Sequence, residues 1–127
     1  MSKGDSSQSL ITEKSYFEGR FMVKGVLNVE GKFEGEAIEV ERLFIGPKGK
    51  MKTDIYANYV DVQGLVIGNI EAKNRVHLRP TSKVLGNIKT KELLIENGVI
   101  LEGSCMIGTD FNDSPKEMLH KLYNEEN

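Results

Sequence analysis

An enzyme needs nucleophiles, acids or metal ligands that converge, and the reactive side chains of this sequence do not. The two histidines, His77 and His120, lie in no His-x-His or Cys-x-x-Cys spacing of the kind that holds zinc. His77 stands between Val76 and Leu78, so strand alternation points it outward as a surface residue, and His120 lies near the carboxyl end. Cys105 has no histidine close in sequence to activate it as a nucleophile. Glu34, Glu36, Glu39 and Glu41, with Arg42, read as a solvated face. Asp54 and Asp61 are too few for the acidic clusters that bind calcium. Lys48-x-Lys50-x-Lys52 puts three charges on one side of a strand, again a solvated face or an edge that deters aggregation. Phosphate-cradling glycine loops are absent. No catalytic, cofactor-binding or metal-ligating residues are expected, and a nucleotide would not switch any assembly in the usual way.

The 127 residues amount to one domain, 39% hydrophobic and 28% charged, with no Trp. Seventeen basic against 19 acidic residues leave a net charge of -2, which argues against non-specific nucleic-acid binding. One cysteine excludes an internal disulfide. No apolar run of about 18 residues spans a membrane, and the amino terminus lacks the apolar stretch of a signal peptide. The expectation is a cytoplasmic soluble domain. Thirteen glycines with only 3 prolines stand out, because that balance does not fit a disordered linker and asks where the glycines sit.

Residues 1–15 are mostly Ser, Lys, Gly and Asp and read as a flexible tail. Residues 109–127 carry two Lys and five acids, net -3. Within them Asp113-Ser114-Pro115 is a helix-start signal, and Met118, Leu119, Leu122 and Tyr123 share one face of a short helix over 114–124, a candidate partner-docking element. The 16–108 domain between the tails has no helical period. Its pairs Leu27-x-Val29, Leu43-x-Ile45, Val60-x-Val62, Val76-x-Leu78 and Leu93-x-Ile95 alternate as short strands do.

Those pairs repeat in step with a second pattern of apolar, any, small, polar, apolar residues. Its copies begin at Phe17, Phe33, Met51, Val66, Val84 and Leu101, with spacings of 16, 18, 15, 18 and 17 residues. Thr53 replaces the glycine in the third copy, Ala37-Ile38 blurs the second, and the sixth stops after one strand. A period near 17 is too short for helical repeats or propeller blades. Three strands of about four residues with three corners close one triangular coil, and successive coils pair in parallel about 4.8 Å apart. The fold expected is an all-β, single-stranded parallel β-helix, a triangular β-solenoid of about six coils. The right-handed form is favoured because the glycine signature occurs once per turn. Gly19, Gly35, Gly68, Gly86 and Gly103 mark coil corners. Phe17, Phe33, Met51, Val66, Val84 and Leu101 form one core column, and Ile55, Ile70, Ile88 and Cys105 another, in which Cys105 is a buried, inert thiol.

Phe33-Glu34-Gly35-Glu36, Val66-Ile67-Gly68-Asn69-Ile70-Glu71-Ala72, Val84-Leu85-Gly86-Asn87-Ile88-Lys89-Thr90 and the Arg79-Pro80-Thr81-Ser82-Lys83 insertion resemble bactofilins over residues 16 to about 108. That resemblance implies a bacterial cytoskeletal protein that polymerises end to end without nucleotide. It implies work at the inner face of the cytoplasmic membrane with cell-wall or cell-shape proteins. The amino-terminal tail, with only Lys3 and Lys14 and no aromatic near Met1, departs from the membrane-binding version. Independently of resemblance, a solenoid's end coils expose unpaired strands, which soluble solenoids cap with polar ends. Here Phe17 and Phe21 at one end, and Met106, Ile107 and Phe111 at the other, are expected to make polymer contacts. The alternative is a non-polymeric adaptor that recruits a partner through its carboxyl-terminal helix.

Overall fold

Strands of alternating apolar and polar residues can bury one face only by stacking on another strand, and here each stacks on the next turn of its own chain. The computed structural model describes residues 8–16 and 18–108. Among them the regular elements are eleven β-strands in one sheet, paired in parallel. The sheet coils into a solenoid of about six turns with three faces.

The first face stacks β1 (Gln8–Ile11) on residues 26–29 of β3 (Arg20–Val29), 42–45 of β4 (Lys32–Ile45), 59–62 of β5 (Lys50–Val62), 75–78 of β7 (Ile70–Leu78) and 92–95 of β9 (Ile88–Ile95). The second stacks β2 (Ser15–Tyr16), 32–34, 50–52, β6 (Leu65–Ile67), β8 (Lys83–Leu85) and β10 (Ile100–Glu102). The third stacks 20–23, 37–40, 54–57, 70–72, 88–90 and β11 (Cys105–Ile107). The long strands β3, β4 and β5 bend from face to face where their register shifts.

Parallel register turns period-two alternation into inward columns. Phe33, Met51, Val66 and Val84 stack in order and are at most 1% exposed, with Leu101 partly buried below them. Phe21, Ile38, Ile55, Ile70, Ile88 and Cys105 make the second column. The alternating pairs fill the first face, as Leu27, Leu43, Val60, Val76 and Leu93 beside Val29, Ile45, Val62, Leu78 and Ile95. Phe33 is the largest fully buried side chain, so Phe33→Ala should cost about 3–5 kcal/mol. Guanidinium unfolding of the two chains measures it.

Four expectations are corrected. The sheet begins at β1, inside the segment read as a flexible tail, because Leu10 and Ile11 with their neighbours pair in register with Asn28 and Val29. This strand makes the last turn whole: the turns start on the first face, so the sixth ends complete at Ile107. Ser15, not Phe17, stacks on Phe33, and Phe17 lies outside the described residues. One extra residue between Glu34 and Ala37 puts Ile38, rather than Ala37, into the isoleucine column. Cys105 keeps its place in that column but is exposed, since among the described residues no turn follows to cover it.

The corner glycines also divide. Gly19, Gly68, Gly86 and Gly103 have positive φ, whereas Gly35 does not and lies inside β4 at the register shift. At Gly86 the need is explicit: φ is +147° and a Cβ would stand 1.9 Å from the Gly68 carbonyl oxygen. The polar residues after Gly68, Gly86 and Gly103 tie the turns together. Asn69 N–H donates to Asp54 Oδ1, Asn87 N–H to Asn69 Oδ1 and Ser104 N–H to Asn87 Oδ1, each at 3.0 Å. A second stacked corner passes through Gly31, Gly49 and Gly64, where Lys50 N–H donates to Gly31 O, Leu65 N–H to Gly49 O and Lys83 N–H to Gly64 O.

Candidate functional site

Two places on the solenoid hold groups whose ordinary partners are missing or whose charges converge: its ends, and one row of the first face.

At the last turn the inward columns run out. Ile95 is 51% and Ile107 56% exposed, whereas their neighbours one turn earlier, Leu78 and Thr90, are fully buried. Leu93 and Leu101 are partly buried. The chemistry of these side chains is that of a core cut across. Because each is already about half covered, burying the rest of Ile95 and Ile107 under another turn is worth roughly 0.8–1.5 kcal/mol each. The backbone is open as well: among the described residues, 92–95, β10 and β11 pair only with the turn before them. Although Cys105 is exposed, partial desolvation by the turn before it pushes its thiol above its ordinary range, and its reactivity rises with pH.

The first turn is better closed. Val23 is buried, Ile11 and Phe21 are partly buried, and the Phe21 ring leans at 47° on Phe33 with centroids 5.6 Å apart. Of the expected polymer contacts, Phe21 and Ile107 therefore lie in core columns at opposite ends, while Met106 is half-buried in the outer row beside Lys89. Phe17, Phe111, and the helix residues Met118, Leu119, Leu122 and Tyr123 lie outside the described residues.

The charged row was not legible in the sequence, which marked His77 as isolated. Asp61, His77 and Leu94 stack outward on successive turns, and Arg79 and Glu96 follow at the adjoining corner. Arg79 clasps Asp61 with Nε 2.9 Å from Oδ1 and Nη2 2.9 Å from Oδ2. His77 Nε2 is 2.6 Å from Glu96 Oε2. The Asp61 carboxylate, through this hydrogen bonding first and its charge second, holds the Arg79 guanidinium still more firmly protonated. The signal was present as residues one coil apart, but it becomes readable only after the register is known. Within this cluster each group is satisfied by another, and the contacts tie three turns together. Among the described residues no group of three His, Cys, Asp or Glu could hold a metal, and no helix is long and apolar enough to cross a membrane.

Residues 9–106 match the model of a family described as bactofilin, polymer-forming cytoskeletal. The chain is similar to bactofilin BacO of Myxococcus xanthus, 32% identical over 78 residues that make up 61% of this chain and 62% of BacO. It is also similar to bactofilin BacP of the same organism, 30% identical over 90 residues, 71% of this chain and 38% of BacP. The chain thus spans less than two thirds of either relative. The solid-state NMR structure of the cytoskeletal bactofilin BacA superposes with a TM-score of 0.70 at 32% identity, covering 80% of this chain and 96% of BacA.

Proposed function

The chain belongs to the bactofilin family of polymer-forming cytoskeletal proteins, and from that membership we propose that it is a structural scaffold assembling end to end into filaments without nucleotide. The observation that carries the reading is the open last turn, where Ile95, Ile107 and Cys105 end core columns with nothing stacked on them among the described residues. Another solenoid turn is the surface that matches it, because it supplies both the apolar columns and the parallel ladder. The reading extends to a self-made rod at the inner face of the cytoplasmic membrane that organises cell-wall or cell-shape proteins, and this part rests on the family resemblance alone. The work is mechanical and positional rather than catalytic.

Negative-stain microscopy of the purified full chain without nucleotide should show smooth filaments about 3 nm across, the width of a three-sided coil. Discrete monomers or trimers at the same concentration would overturn the reading. Cys105 offers a second check. In filaments its labelling by a thiol reagent at pH 8 should be at least about tenfold slower than in the dilute, unassembled chain, as expected if stacking removes the thiol from solvent. Equal rates in both would place the contact elsewhere.

A further inference from the structure

The second face carries a continuous outward patch of apolar residues on its last three turns, set among lysines. Its outer rows are Lys32, Lys50, Leu65, Lys83 and Ile100, and Tyr16, Glu34, Lys52, Ile67, Leu85 and Glu102. Ile67, Leu85 and Ile100 are 38%, 41% and 54% exposed on the last three turns, and Leu65 is half-buried beside them. Lys52 has Glu34 at 3.8 Å, while Lys32, Lys50 and Lys83 have no ion-pair partner among the described residues. Apolar side chains in solvent within a lysine frame are the surface an acidic amphipathic segment fits.

We propose that this face is the docking site of the chain's own carboxyl-terminal segment, the amphipathic stretch 114–124 and its acidic end. This goes beyond the filament reading and does not depend on it. The charges are complementary: residues 109–127 are net -3, with Glu117 preceding the apolar positions and Glu125 and Glu126 following them. The apolar lengths agree. Met118 to Tyr123 span about 7.5 Å of helix, and the Ile67–Leu85–Ile100 patch extends over two inter-turn spacings, about 10 Å. The reach agrees too. The chain leaves the solenoid after Gly108 on the last turn, the turn that carries Ile100. Residues 109–113 extend up to about 17 Å, and a coil side of five to six residues gives a depth of roughly 16 Å. A helix entering from the last turn runs toward the first, setting Glu117 near Lys83 and Glu125 and Glu126 near Lys50 and Lys52. Tethering then keeps the segment at millimolar effective concentration over its site.

Zero-length carbodiimide cross-linking of the full-length protein, mixed from natural and 15N-labelled chains and read by mass spectrometry, tests this. The expected result is within-chain cross-links of Glu117 to Lys83 and of Glu125 or Glu126 to Lys50 or Lys52. Leu119→Asp with Leu122→Asp should reduce them at least about tenfold, with the solenoid's circular dichroism unchanged. Leu94→Asp, a like change on the first face, should leave them intact. Absent tail cross-links, cross-links to the other faces, or cross-links only between light and heavy chains would each overturn the proposal. So would the same face remaining open to lysine acetylation until phosphatidylglycerol vesicles protect it, which would mark it as a membrane surface. Filaments can be present or absent in any of these cases, so the filament reading stands or falls separately.

Discussion

Ile107→Arg leaves the chain folded and unable to form filaments. Ile107 ends the inward column that runs through Val23, Val40, Ala57, Ala72 and Thr90, and 56% of its surface faces solvent. In the free chain an arginine there can turn its guanidinium to water, so the turns above are undisturbed. In a stacked junction the same charge would lie among the inward apolar residues of two end turns, and an unpaired buried charge costs several kcal/mol. That exceeds the roughly 0.8–1.5 kcal/mol gained by covering the exposed half of one isoleucine. Sedimentation velocity should give a single slow species in place of fast polymer, with circular dichroism unchanged. Leu94→Arg is the control, since Leu94 is exposed on the same turn but faces outward, and filaments should persist. Filaments that survive Ile107→Arg would remove the last turn from the junction.

The second large effect is on folding. Gly86→Ala should destabilise the solenoid by at least about 3 kcal/mol, while Gly19→Ala, also at positive φ, should cost only about 1–2 kcal/mol. The difference lies in what a methyl group meets. At Gly86 it would stand 1.9 Å from the Gly68 carbonyl oxygen, a backbone atom that cannot move without opening the turn above. At Gly19 nothing lies within 4 Å, so only the backbone conformation is penalised. Displacing the Gly86 corner also pulls Asn87 from its place, where its N–H donates to Asn69 Oδ1 and its own Oδ1 accepts from Ser104. Guanidinium midpoints in the Ile107→Arg background separate the two; equal losses would mean the corners can relax.

Where the sequence was misleading, the cause was local. Phe17 fits the motif's first position better than Ser15 does, yet Ser15 stacks on Phe33, because register is set by the paired backbone and not by the best apolar match. Ala37-Ile38 looked like a blurred copy and is an intact one carrying an extra residue at the corner. Gln8–Ile11 has a tail's composition, but the free edge of residues 26–29 in the second turn gives it a ladder to join, and pairing outweighs propensity at an edge.

The sequence by itself determined the family of solutions: period two makes strands, and a repeat near 17 makes a three-sided coil. Columns such as Val66 on Met51 and Ile70 on Ile55 follow from spacing alone. Only the tertiary structure decided what the ends and faces are. Burial at Cys105 or Ile107 depends on whether another turn lies below, and the Arg79–Asp61 clasp depends on which residues neighbouring coils set side by side. A repeat fixes what is common to every turn. Function at an end or on a face comes from how one turn differs from the others, and that is a matter of position in space.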